Sequence, residues 1–155
     1  MPASDAQKVA AIATVVLYGK YFICQIIQGT KKGKAGLKAP EDNGTGFSNI
    51  VGAATGNETT TENKLVETAK RWERIVGNDV ENIPIALVIM WSCASIVTTD
   101  ETLPFLIYAI MFTVARVLHT FCYAYGIQPF RTLCFAIGFI MVFCMAFTTL
   151  AVVFK

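Results

Sequence analysis

Long apolar runs, each broken by at most one charge, dominate this chain. Thr132 to Phe154 is 23 residues without a charged side chain, and Asn82 to Thr99 is 18. Thr102 to Tyr125 contains one charge, Arg116, and Val9 to Thr30 contains one, Lys20. A bilayer core of roughly 30 Å needs about 20 apolar helical residues. The pattern predicts four membrane-spanning helices, at 7–29, 80–99, 102–126 and 129–154. The second helix should start well before its lipid portion, near Asn63 or Lys64, because Glu62 to Arg74 has few breakers before Gly77. Pro84 removes one backbone hydrogen bond and is expected to kink that helix. Pro104 is expected in the first turn of the third helix, and Gly126-Ile127-Gln128-Pro129 in the turn to the fourth. One sizeable polar segment remains, Lys31 to about Asn63, rich in Gly, Thr, Asn and Lys.

Composition narrows the picture. Of 155 residues, 54% are apolar and 15% charged, against about 45–50% and about 25% in soluble domains. Mean hydropathy is +0.52. A soluble globular domain, a disordered chain and a secreted disulfide scaffold are excluded. A separate soluble catalytic domain is excluded too, because no segment outside the spans is long enough to build a core. The expected fold class is an all-α membrane protein, a four-transmembrane-helix bundle forming one domain over residues 1–155. A net charge of +2 gives no reason to expect nucleic acid as a partner. Cys24, Cys93, Cys122, Cys134 and Cys144 all lie in apolar runs, and no Cys-x-x-Cys pair exists. They read as small hydrophobic fillers. The N-terminal residues lack the basic start of a cleaved signal, so the first helix is expected to be an uncleaved anchor.

Topology follows from the basic residues. The long loop and its helix junctions carry Lys31, Lys32, Lys34, Lys38, Lys64, Lys70, Arg71 and Arg74, whereas Thr98-Thr99-Asp100-Glu101-Thr102 carries none. The positive-inside rule puts the long loop in the cytosol and both termini on the far side. The loop holds two sequons, at Asn43 and Asn57. Neither is expected to be glycosylated.

Ionisable groups inside spans cost a few kcal/mol each, so those that remain are informative. Arg116, His119 and Tyr123 on the third helix fall within an arc of about 60° at 100° per residue. Arg71, Arg74, Asn78 and Glu81 on the second fall within about 80°. Lys31 ends the first helix and Arg131 begins the fourth. A structural network is one reading, with Glu81 neutralising Arg116 and Arg71 and Arg74 snorkelling to headgroups. The other is a site for a small polyanion, since guanidinium groups bind carboxylates bidentately and do so best away from bulk water. A single histidine with no Cys or second His nearby argues against a metal. The spacing gives Lys20 no partner.

These residues resemble the family of membrane-associated proteins in eicosanoid and glutathione metabolism, and within it the type-1 microsomal glutathione transferases. Arg71-Trp-Glu-Arg-Ile-Val-Gly-Asn-Asp-Val-Glu-Asn-Ile-Pro84 is similar to the helix-two signature, and Ala115-Arg-Val-Leu-His-Thr-Phe-Cys-Tyr123 to the helix-three signature. Pro129-Phe-Arg131-Thr-Leu matches the start of helix four, and Ala39-Pro-Glu-Asp42 a loop motif. The resemblance implies homotrimers of four-helix subunits, with glutathione as co-substrate between neighbouring subunits and no metal. It implies glutathione contacts at Lys31, Arg74, Asn78, Glu81, Arg116, His119 and Tyr123, and Arg131 as the catalytic residue beside the sulfur. The implied activity is conjugation of glutathione to lipophilic electrophiles, with reduction of lipid hydroperoxides, and the partners are those substrates and membrane lipid. The implied location is the endoplasmic reticulum membrane, and also the mitochondrial outer membrane, with the active site facing the cytosol. A prostaglandin E or leukotriene C synthase-like enzyme and a non-catalytic lipid-binding scaffold share the fold. An unrelated four-span channel or adaptor is the reading without the resemblance. Val76 and Glu73 depart from the family, which usually has His and a second Arg there. Asn43 replaces the Cys of some type-1 members, so thiol activation there is expected to be absent. Phe135 resembles the transferases; the prostaglandin synthase branch tends to have Tyr.

Overall fold

A computed structural model describes residues 4–37 and 59–155. The Ala39–Asp42 motif and the sequons at Asn43 and Asn57 lie outside the described residues. Four helices account for nearly all the rest: α1 (Asp5–Lys34), α2 (Thr59–Ile96), α3 (Thr99–Ala124) and α4 (Gln128–Val153). Each contains a window long and apolar enough to cross a membrane. The protein is an all-α four-helix membrane protein, as the gaps between charges require.

The helix ends differ from the expected ones for identifiable reasons. α1 continues past residue 29 to Lys34, where Lys31, Lys32 and Lys34 meet the negative end of the helix dipole. A Schellman turn closes it: Leu37 N–H donates to Lys32 C=O and Gly36 N–H to Gly33 C=O, with Gly36 at φ 70°. α2 begins at Thr59, earlier than Asn63, and stays helical through Pro84. α3 opens at Thr99 behind an extended Thr98 (φ −90°, ψ 179°). Asp100 and Glu101 in its first turn face the positive end of the dipole. Pro104 therefore lies in the second turn, not the first as expected. α3 ends in a second Schellman turn, with Ile127 N–H on Cys122 C=O and Gly126 N–H on Tyr123 C=O. Gly126 sits at φ 73°, a conformation that costs any residue with a Cβ. Pro129 follows in the first turn of α4, where its missing N–H is not needed.

The chain divides into two compact units, Met1–Lys20 with Asp79–Lys155, and Tyr21–Asn78. The first unit contains segments of all four helices. Its core draws on Ala6, Ala10, Ala13 and Leu17 of α1, Ile83, Ala86 and Met90 of α2, Phe105, Ala109 and Phe112 of α3, and Met145 of α4. Lipid tails are as apolar as these side chains, so close packing rather than exclusion from water holds such helices together. The alanines on one stripe of α1 let its backbone come close to its neighbours. Trp91 Nε1 donates to Thr14 Oγ1 at 3.0 Å and ties α2 to α1. Bonds of this kind contribute about 0.6 kcal/mol in membranes. Large apolar side chains such as Ile12, Val88, Ile107, Phe139 and Phe147 point outward, as a chain solvated by hydrocarbon allows.

The second unit pairs the end of α1 with the start of α2. Cys24, Ala69, Ile75 and Val76 are buried in it. Lys32 Nζ donates to Glu73 Oε1 at 2.8 Å on its surface. Both departures from the family motif thus have local roles: Val76 is core, and Glu73 pairs with a lysine.

Candidate functional site

Three charges from three helices meet inside the first unit. Lys20 Nζ of α1 donates to both carboxylate oxygens of Asp79 on α2, at 2.6 and 2.7 Å. Arg116 Nη2 of α3 donates to Asp79 Oδ1 at 2.7 Å. Side-chain exposure is 10% for Lys20, 1% for Asp79 and 2% for Arg116. An ion this deep is tolerable only when paired and hydrogen-bonded. One carboxylate thus accepts from two cations.

Asp79 was not among the residues singled out by spacing. The expected partner of Arg116 was Glu81; the structure puts Asp79 on the guanidinium and leaves Glu81 exposed. Two residues along a helix turn the side chain by about 200°. Asp79 shares its face with Ile83, Ala86 and Met90, at i+4, i+7 and i+11, all buried. That register is a sequence signal that would have picked Asp79 over Glu81.

From Arg116 the polar track continues along α3. His119 lies one turn on and is buried. Its Nδ1 has no hydrogen-bond partner among the described residues, an uncommon state for a buried nitrogen. The His119 ring meets Tyr123 edge-on with centroids 5.7 Å apart, and approaches Phe135 at 6.2 Å. The Arg131 guanidinium, from the first turn of α4, lies 4.4 Å from the Tyr123 ring centroid. This cation–π contact fixes the head group without neutralising it. Arg131 is half-buried and makes no ion pair among the described residues. The structure thus brings Arg116, His119, Tyr123 and Arg131 into one column.

Beside this column is a cleft of about 140 Å³ between α2, α3 and α4. Glu81, Asn82 and Arg116 form its polar part, and Ile85, Phe112 and Phe139 are among its apolar walls. A cavity of about 150 Å³ holds a molecule the size of benzene. Gly138 forms part of the floor, and a Cβ there would lie 3.6 Å from Arg116 Cδ and 3.7 Å from Phe112 Cδ2.

Lys31, Arg74 and Asn78 belong to the second unit. There Arg74 is exposed, and Lys31 and Asn78 are half-buried. Among the described residues, no group of three or more His, Cys, Asp and Glu is placed to hold a metal. Lys20, which spacing left without a partner, proves to be part of the buried cluster.

The model of the MAPEG family matches residues 10–151 of the chain. No similar chain is found among curated proteins or among solved structures.

Proposed function

The chain belongs to the MAPEG family, and on that premise we propose that it is a membrane glutathione transferase. It conjugates glutathione to lipophilic electrophiles and reduces lipid hydroperoxides. The observation that carries this reading is Arg131, which stands over the Tyr123 ring with no ion pair among the described residues. Such an arrangement suits a bound anion with a reactive sulfur better than a self-sufficient structural network. The unsatisfied Nδ1 of buried His119 is a further polar atom open to a ligand.

Glutathione supplies the thiol that becomes the nucleophile. A free thiol of pKa about 8.5 is only a few per cent ionised at neutral pH. Lowering that value by two units takes about 2.7 kcal/mol, an energy one guanidinium in a partly dry site can provide. Arg131 is assigned this role, because its charge is oriented by the ring beneath it and is not spent on a carboxylate. Tyr123 donates a hydrogen bond beside it. Glu81 contacts the glutathione amine, and the family resemblance alone carries Lys31, Arg74 and Asn78 as further glutathione contacts. Arg116 is occupied by Asp79 and contributes mainly through its charge. The cleft beside Arg116 takes the apolar part of the electrophile, since its volume suits a single ring or a bend of an acyl chain. The active assembly is a homotrimer in the endoplasmic reticulum membrane, with the site toward the cytosol.

The test is an assay of purified protein in detergent, with glutathione and a chloronitrobenzene. The expected result is saturable conjugation, dependent on both substrates and lost on removing the protein. Glutathione binding without conjugation of any electrophile would favour the scaffold reading; ion conductance without glutathione binding would favour a channel.

A further inference from the structure

Gly138 lies inside α4, is buried, and forms part of the cleft floor. Within a helix, glycine is less favourable than alanine, because its backbone loses more freedom on folding. In membrane helices it is commonly kept so that two backbones can approach closely. Close approach does not require it here. A Cβ on Gly138 would lie 3.6 Å from Arg116 Cδ and 3.7 Å from Phe112 Cδ2, ordinary van der Waals distances. Both neighbours are side-chain atoms, and no backbone of another helix lies nearer. The α3–α4 packing therefore accommodates alanine. What the missing methyl leaves is open cleft.

The size of that cleft makes a methyl matter. Its volume of about 140 Å³ is close to the roughly 150 Å³ of a cavity that takes one benzene ring. Its walls are rich in aromatic side chains: Phe112 of α3, with Phe135 and Phe139 of α4. The Phe135 and Phe139 rings are nearly parallel, 16° between planes with centroids 6.2 Å apart. Such walls favour a flat ring in offset or edge contact. Phe135 also borders His119, at 6.2 Å between centroids, so the apolar cleft and the polar column share a wall.

We propose that Gly138 is the specificity-determining residue of the electrophile site, its missing side chain leaving room for one planar aromatic ring and excluding a fused second ring. The inference rests on the glutathione transferase reading of the same cleft. It narrows the electrophiles of that reading to monocyclic aromatic ones at this site. A methyl on residue 138 takes volume that the ring needs. One methylene in an apolar pocket changes discrimination by about 10–200-fold.

The experiment compares wild type, Gly138→Ala and Gly138→Leu, each full-length and in detergent. It measures kcat/KM for a chloronitrobenzene and for its fused two-ring analogue, a chloronitronaphthalene. In both reactions the thiolate displaces chloride, so a C–S bond replaces a C–Cl bond. Glutathione binding, thiolate absorbance and the thermal midpoint are followed alongside. Wild type should favour the single ring by at least about tenfold. Gly138→Ala should lose about tenfold or more on the single ring, with glutathione binding and thiolate unchanged and a thermal midpoint no lower than wild type. Gly138→Leu should abolish conjugation of the ring. Equal use of both electrophiles by wild type overturns the proposal. Full single-ring activity in Gly138→Ala overturns it, as does a loss that runs in parallel with loss of thiolate, the mark of a structural role. Where Gly138→Leu gives no folded protein, the alanine variant decides alone. Absence of both thiolate and conjugation in wild type would remove the transferase reading itself. Wild-type conjugation indifferent to residue 138 would remove only the role of Gly138.

Discussion

At the scale of single residues, the site is a problem of charge in a poor solvent. Asp79 accepts from both Lys20 and Arg116, and Arg131 rests on an aromatic face that leaves its charge available. If that charge ionises the thiol, Arg131→Ala should keep most of the affinity for glutathione while losing about two units of thiol acidity. That is about a hundredfold less thiolate at neutral pH. Isothermal binding and thiolate absorbance on the same sample separate the two effects, and an alanine variant with both binding and thiolate intact refutes the assignment. The sequence made Arg116, His119, Tyr123 and Arg131 visible, because polar groups stand out against apolar runs. It concealed Lys20 and Asp79 for opposite reasons. Lys20 is the single charge between Val9 and Thr30, and the carboxylate it reaches is 59 residues away. Asp79 lies among Asn78, Glu81 and Asn82, where only the buried register of α2 distinguishes it.

At the scale of elements, the spans could be read from the gaps between charges because hydrocarbon solvates apolar side chains and rejects ions. The ends were less legible, since they depend on capping. α1 runs on through its terminal lysines, and α3 starts at Thr99 with Asp100 and Glu101 in its first turn against the positive end of the dipole. The α3–α4 connection carries the strictest local requirement. It brings Arg131 to Tyr123, and it turns on Gly126 at φ 73°. Gly126→Ala should cost about 1–2 kcal/mol of stability. Thermal unfolding in detergent should show a lower midpoint than wild type, and an unchanged midpoint would mean that the turn can relax to negative φ.

At the scale of the whole molecule, MAPEG membership and four apolar helices establish a membrane protein of glutathione or eicosanoid metabolism. Which side the site faces is a matter of topology, and the positive-inside rule applied to the basic residues around the long loop predicts the cytosolic side. The sequons at Asn43 and Asn57 provide the check. Protein expressed in a glycosylating cell should show no mass shift on glycosidase treatment, and a shift would invert the topology. The electrophile was not legible in the sequence and has no charge signature to read, because apolar side chains that line a cleft and those that face lipid are chemically alike.

The most direct test of the central claim is the ultraviolet difference spectrum of glutathione titrated into the purified wild-type protein at neutral pH. A saturable thiolate band is expected, with stoichiometric ionisation well below the pH at which free glutathione ionises. Tight binding of glutathione that leaves the thiol protonated would contradict it.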